Sequence, residues 1–233
     1  MLRYPVPWDL VFGLAPHLAN RTQQNIHDFT RGIVARMDPA PRLVGLEHIP
    51  REGPFVLVAN HYQRKGLWIL HTAAAMTQAV VAARGTGDPP VRWMVTANWP
   101  PWRFGPFSMA SPGDRLLPRV AEVLQCYPVS FSGGNPAYTA ASLRRLLREA
   151  RSSPVPIGIF PEGVAGAAGV LTDPLPGIER VLVLLRRPVV PCGVSEDGRF
   201  VLRFGSPVAA AELEAAGADA AKLVMRQVAQ LMS

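Results

Sequence analysis

Two short apolar runs in this chain end in residues that can move protons or hold polar groups. Residues 55–59 lead into Asn60-His61, and residues 157–159 lead into Phe160-Pro161-Glu162-Gly163. A histidine whose unperturbed pKa lies near ~6.5 is largely neutral at pH 7 and can take a proton from a hydroxyl as the oxygen attacks. The carboxylate of Glu162 can hold a hydroxyl, and Gly163 permits close backbone approach. If the two runs are neighbouring parallel strands, His61 and Glu162 converge on one crevice at the end of a sheet, where open α/β folds place their ligands. No Ser or Cys stands in a Gly-x-Ser-x-Gly context, which disfavours a covalent hydrolase. His71, midway along an apolar segment, reads as core-facing, and His17, His27 and His48 lack any comparable setting.

The elements that must position these residues are legible as alternating short strands and helices. Strands are predicted over residues 43–47, 55–59, 92–96, 127–131, 155–160, 189–194 and 200–204, and helices over 67–83, 114–125, 136–151, 177–187 and 208–232. Asn135 before Pro136 and Ser206 before Pro207 each offer a capping oxygen followed by a proline suited to a first helical turn. Helices between apolar strands imply a sheet covered on both faces, while Ser195-Glu196-Asp197-Gly198 reads as a hairpin turn. The fold class is therefore α/β: a mixed, largely parallel sheet flanked by helices, with an N-terminal helical appendage. We place that appendage at residues 1–38 and the α/β domain at 39–233. Ile26, Phe29, Ile33 and Met37 recur at helical spacing, and the aromatic lead around Tyr4, Trp8 and Phe12 suits either a membrane interface or packing on the domain. Residues 84–113, rich in Trp and Pro, break any period and read as a long excursion that either covers an acyl pocket, touches a bilayer, or is simply a Pro-rich loop packed on the protein.

Composition narrows the partners. The 233 residues are 48% hydrophobic, and 24 Lys and Arg against 17 Asp and Glu leave a net charge of +7. The pI near 10.2 invites anionic partners. Nucleic acid is disfavoured, because the Arg residues are scattered, Lys occurs only at Lys65 and Lys222, and no zinc-finger or RNP pattern accompanies them. Cys126 and Cys192 sit in apolar runs typical of buried free thiols, and the opening residues lack the apolar core of a signal peptide, so a reduced, cytoplasmic setting is expected. Residues 66–83 carry no charge but hold His71, Thr72, Thr77 and Gln78, which points to a buried helix and not to a membrane span. Arg144, Arg148 and Arg151 share a helical stripe that reads as a solvated face, or with Arg186 and Arg187 as a surface for anionic headgroups.

Three blocks resemble the glycerolipid and lysophospholipid acyltransferase family, typified by bacterial 1-acylglycerol-3-phosphate acyltransferase. GLEHIPREGPFVLVANH, residues 45–61, looks like the strand leading to that family's Asn-His block. IFPEG, residues 159–163, looks like its third block, and RPVVPCGV, residues 187–194, like its fourth. The resemblance implies a glycerol-3-phosphate acyltransferase-like fold. It also implies transfer of an acyl group from a thioester, acyl-CoA or acyl carrier protein, to a hydroxyl of a glycerolipid, lysophospholipid or other alcohol, with no metal or other cofactor. On that scheme His61 is the general base, and Asn60, Arg64, Lys65, Phe160, Pro161, Glu162 and Gly163 form the substrate site. Glu162 would bind the acceptor's other hydroxyl, and backbone N–H groups beside Glu162-Gly163 would hold the oxyanion. An anionic membrane surface is the implied workplace, with the protein peripheral on the inner face.

The departures are equally specific. Where the family carries an aspartate five residues after its histidine, this sequence has Gly66. In a hydrolase triad, losing the carboxylate that fixes the histidine tautomer costs about 10⁴-fold in turnover. Asp88 and Asp114 are candidates to replace it, and Gly66→Asp is expected to raise activity if the backbone accepts the change. The arginine expected after the short strand gives way to Phe131 and Ser132, and the one expected after IFPEG is replaced within residues 164–167. Both are phosphate ligands in the family, so an unphosphorylated alcohol or amine acceptor is open, or Arg64, Lys65 or another Arg substitutes. A second reading follows: a catalytically inactive homologue that binds a lipid or acyl thioester as a module.

Overall fold

The computed structural model describes residues 4–97, 102–104, 107–109, 113–129, 136–163 and 169–233. The chain opens with helices α1 (Trp8–Phe12), α2 (Ala15–Asn20) and α3 (Ile26–Val34), then strand β1 (Arg42–Val44), β2 (Val56–Ala59), the long helix α4 (Ile69–Arg84) and β3 (Arg92–Thr96). A short hairpin, β4 (Trp102–Phe104) with β5 (Phe107–Met109), precedes α5 (Gly113–Val123), β6 (Tyr127–Val129), α6 (Pro136–Ser152) and β7 (Ile157–Ile159). The chain closes with α7 (Ile178–Leu185), β8 (Val189–Glu196), β9 (Phe200–Phe204), α8 (Ala210–Ala216) and α9 (Ala220–Leu231).

Seven strands form one sheet in the order β1-β9-β8-β2-β7-β3-β6. From β8 to β6 neighbouring strands are parallel, whereas β9 pairs antiparallel with β8 and carries β1 alongside it. The hairpin joining β8 to β9 turns at Asp197–Arg199, as the polar tetrapeptide at that point predicts. The central strands are apolar on both faces because both are covered. Phe55, Leu57 and Ala59 pack toward Met76, Ala79 and Val80 of α4, and Val56 and Val58 pack with residues of α6, α7 and α9 such as Leu146, Leu182 and Val224.

Helix α4 is apolar nearly all round and buried along most of its length, His71 included, whose Nε2 lies 3.2 Å from Pro5 O. No helix among the described residues is long and apolar enough to cross a membrane. The N-terminal helices pack onto the α/β layer: Phe29 and Ile33 of α3 meet Ala74 of α4 and Val123. Tyr4 is buried too, with its hydroxyl on Pro39 O at 3.0 Å.

Four local expectations change. The strand predicted over residues 43–47 ends at Val44, because Gly45 adopts φ 77° and the chain turns into a short 3₁₀ segment. Ser206-Pro207 does not open a helix. Val208 instead exchanges both backbone hydrogen bonds with Val189, at 2.9 and 2.8 Å, so helix starts only after Ala209, whose N–H donates to Glu212 at 3.4 Å. The predicted 208–232 helix is two helices separated by the 3₁₀ turn Gly217–Asp219. Trp93 belongs to β3 and the core, not to the excursion that follows it. Phe131, Ser132 and Asn135 lie outside the described residues, as does Trp99.

Candidate active site

Strands β2 and β7 run side by side in register, Val56 opposite Ile157 and Val58 opposite Ile159. The residues that follow, Asn60-His61 and Phe160-Pro161-Glu162, therefore leave the sheet together. The buried Asn60 amide extends the β2–β8 pairing: its Nδ2 donates to Val194 O at 3.0 Å and its Oδ1 accepts from Val194 N at 2.7 Å. Asn60 is thus occupied by the backbone of β8. The Glu162 carboxylate joins the two strand ends, its Oε2 accepting the backbone N–H of His61 at 2.5 Å. Its Oε1 accepts from Thr172 N at 2.7 Å and Thr172 Oγ1 at 3.0 Å. Glu162 is only 3% exposed. The hydroxyl-binding role expected of it meets a carboxylate that already accepts three protein donors, at least one on each oxygen.

Phe160 and Gly163 complete the turn. Gly163 N donates to Phe160 O at 3.1 Å, with φ 67° at Gly163, a conformation that favours glycine. A Cβ there would sit 2.1 Å from Leu175 Cδ1, so the close approach that this glycine allows is made by Leu175, whose N–H also donates to Pro161 O at 2.8 Å. The N–H groups expected to hold an oxyanion fall partly on Gly163, already bonded, and partly on residues 164–168, outside the described set.

Beside this turn lies a cavity of about 300 Å³ between the sheet and helices α3, α4 and α5. Its walls are apolar: Phe29, Leu70, Ala74, Trp93, Leu117 and Ile159 contribute, with Phe160 and Gly163 at the turn. Among the described lining residues His61 is the only histidine, and no Asp, Glu, Lys or Arg is present. Phe160 stacks on Trp93 with ring centroids 4.8 Å apart and meets the His61 ring edge-on at 5.5 Å. At ~30 Å³ per water-sized volume the cavity takes on the order of ten such units, the scale of a medium-length alkyl chain. Cys126 also lines it, but burial pushes its thiol up to about 12, which leaves it un-ionised.

The imidazole is half-buried, and its Nδ1 is buried with no hydrogen-bond partner. Burial lowers the His61 pKa below its ordinary value, opposed more weakly by its own backbone carbonyl and by the charge of Glu162. Among the described residues no carboxylate reaches Nδ1. Gly66 sits in a tight turn in which Arg64 and Leu67 exchange backbone hydrogen bonds at 3.0 and 2.9 Å, with φ 84° at Gly66. That is the third position of a type II-like turn, which an aspartate would enter with strain. Asp88 pairs instead with Arg84 at 2.9 Å, and the side chain of Asp114 lies outside the described residues.

The loop after His61 is anchored at Glu196, the last residue of β8. Tyr62 donates its hydroxyl to Glu196 Oε2 at 2.9 Å, and the Arg64 guanidinium forms a buried ion pair with the same carboxylate. Burial would raise the Glu196 carboxyl, but the bonds from Arg64 and Tyr62 outweigh it and hold the group below the usual range. Arg64, expected at a substrate, is thus committed to the protein, whereas Lys65 beside it is exposed. Arg187 likewise is no headgroup ligand: it is buried and donates to the carbonyls of Val155, Ala150 and Ser153 at 2.6 to 2.7 Å. Arg144, Arg148, Arg151 and Arg186 are exposed. Among the described residues no three His, Cys, Asp or Glu side chains converge to hold a metal ion.

Sequence reasoning missed Thr172, Glu196 and the partnership of Trp93 with Phe160. None has a local signature: Glu196 and Trp93 act on residues distant in the chain, and Thr172 reaches Glu162 only through the path of the intervening chain.

A largely parallel sheet whose central strand delivers a histidine to the wall of an apolar cavity is an arrangement suited to handling acyl chains. A family model described as Acyltransferase matches residues 40–195, and the chain belongs to that family. Its fold is similar to that of the 1-acyl-sn-glycerophosphate (LPA) acyltransferase PlsC from Thermotoga maritima, with a TM-score of 0.54 over 88% of this chain and 76% of that one at 16% identity. No curated protein matches the chain.

Proposed function

We propose that the protein transfers a fatty acyl group from a thioester, acyl-CoA or acyl carrier protein, to a hydroxyl of a glycerolipid, lysophospholipid-like or other alcohol acceptor. The observation that carries this is the imidazole of His61 on the wall of an otherwise uncharged, apolar cavity of alkyl-chain dimensions. The acyl chain fills the cavity and its thioester carbonyl comes to rest near His61. Neutral His61 then takes the acceptor's hydroxyl proton as that oxygen bonds to the carbonyl carbon. When the tetrahedral intermediate collapses, the carbon–sulfur bond breaks and the imidazolium returns its proton to the leaving thiolate. The thioester is a cosubstrate, and no cofactor enters the scheme.

The Thermotoga protein is named for an acceptor that carries a phosphate. In this chain Arg64 is held by Glu196, which favours an acceptor without a phosphate, or one met by Lys65 alone. We place the protein on an anionic membrane surface at the cytoplasmic face, on the strength of its net positive charge and its exposed aromatic N-terminal segment.

The second reading, a lipid or acyl-thioester binding module without turnover, draws on one observation: among the described residues no side chain accepts a hydrogen bond from Nδ1 of His61. Incubation of purified protein with labelled acyl-CoA or acyl carrier protein and a panel of lysolipids and alcohols separates the two. Labelled ester or lipid product is expected; retention of the label on the protein with no product would establish the module instead.

A further inference from the structure

We infer that Thr172 is a positioning residue for His61, acting through Glu162. The inference rests on His61 being the base. Glu162 is buried, and a buried carboxylate is stable only when donors satisfy it. Three do so: the backbone N–H of His61 on one oxygen, and the N–H and hydroxyl of Thr172 on the other. The carboxylate is therefore a rigid link between the end of β2 and the segment that follows the Phe160–Gly163 turn. Leu175 fastens the same segment a second time, through its N–H on Pro161 O and its side chain over Gly163.

This link substitutes for something the ring itself lacks. Among the described residues Nδ1 of His61 has no acceptor, so no described side chain sets the imidazole's direction through that nitrogen. What remains is the backbone position, fixed by Glu162 and by Asn60 on Val194, and the edge contact with Phe160. Charge-assisted hydrogen bonds are roughly twice as strong as neutral ones, and a displacement of ~1 Å at a reacting group can cost about 10²-fold in rate. Thr172, exposed to solvent, thus controls the base without touching substrate.

Thr172→Val removes the hydroxyl donor to Glu162 but keeps the Thr172 N–H on the same oxygen, Thr172→Ser retains both, and thermal unfolding verifies that each variant is folded. The expected result is a fall in kcat of about tenfold for Thr172→Val, with the KM values of donor and acceptor unchanged and near wild-type kcat for Thr172→Ser. In parallel, the backbone amide of His61, shifted downfield by its bond to a carboxylate, should move upfield and exchange faster in Thr172→Val. An amide that stays put would overturn the proposal whether or not the protein turns over. A raised acceptor KM at constant kcat would overturn it as well, by placing the pair on the acceptor. If the amide moves but wild-type protein makes no product, the link to His61 stands as structure, the catalytic role assigned to Thr172 is rejected, and the acyltransferase reading of His61 falls on its own evidence.

Discussion

In the mechanism we propose, His61 acts with no described carboxylate in the place of the one that holds a histidine's tautomer in hydrolase triads. Its surroundings act in two directions. Burial among Phe160, Trp93 and the aliphatic wall keeps the ring neutral, so a base is available over a wider pH range. The same burial makes the imidazolium formed during attack costly, and Glu162 offsets this only in part. A rate profile reports the balance. Because burial lowers the folded-state pKa, protonation that would silence a base at His61 sets in at lower pH than for an ordinary, solvated histidine. The rising limb of kcat/KM against pH should have its midpoint below about 6.5. A midpoint at or above that value would mean that the ring is better solvated, or more closely paired with an anion, than the fold allows.

Among the elements, the turn at Arg64–Leu67 decides how this chain departs from its relatives in the resemblance read from the sequence. Glycine at position 66 is what the backbone requires at φ 84°, so the missing aspartate and the tight turn are one feature. Gly66→Asp is accordingly expected to destabilise the protein by about 1–2 kcal/mol, the cost of a left-handed conformation for a residue with a Cβ, without raising turnover. Thermal unfolding with an activity assay checks both parts; a stable variant with higher turnover would show that the turn reshapes and returns a carboxylate to the imidazole. The strands that carry the site were legible because apolar runs of four to six residues ending in Asn-His and Phe-Pro-Glu-Gly are local patterns. The bonding of those ends was not. Asn60 to Val194 and Arg64 to Glu196 pair residues more than 130 positions apart, Glu162 to Thr172 spans ten positions with no local pattern, and each diverts a polar side chain from the substrate role its type suggested. Ser206-Pro207 misled for a related reason: pairing of Val208 with Val189 overrides a local capping signal.

For the whole molecule, the cavity and a hydrophobic surface lie close together in the chain. Trp8 and Phe12 of α1 and Trp68 at the start of α4 are 53%, 70% and 40% exposed. Their rings contact one another, Trp8 with Phe12 and Trp8 with Trp68, both at 5.9 Å. The residues directly after Trp68, Ile69 and Leu70, line the cavity. Exposed Trp and Phe of this kind settle at the headgroup level of a bilayer, and the net charge of +7 favours anionic lipid. The protein should sediment with anionic vesicles, less so as salt screens the attraction, and the triple variant Trp8→Ala, Phe12→Ala, Trp68→Ala should stay largely in the supernatant. Equal recovery of wild-type protein in the supernatant with and without vesicles would contradict the membrane placement.

The claim on which the account turns is that the imidazole at the cavity wall performs the transfer. Its most direct test compares wild type with His61→Ala, verified as folded, for acyl product from a labelled thioester and an alcohol acceptor. Product from the wild type and loss of at least about 10³-fold in the variant, within the reach of one general base, is the predicted result. Undiminished transfer by His61→Ala would contradict it.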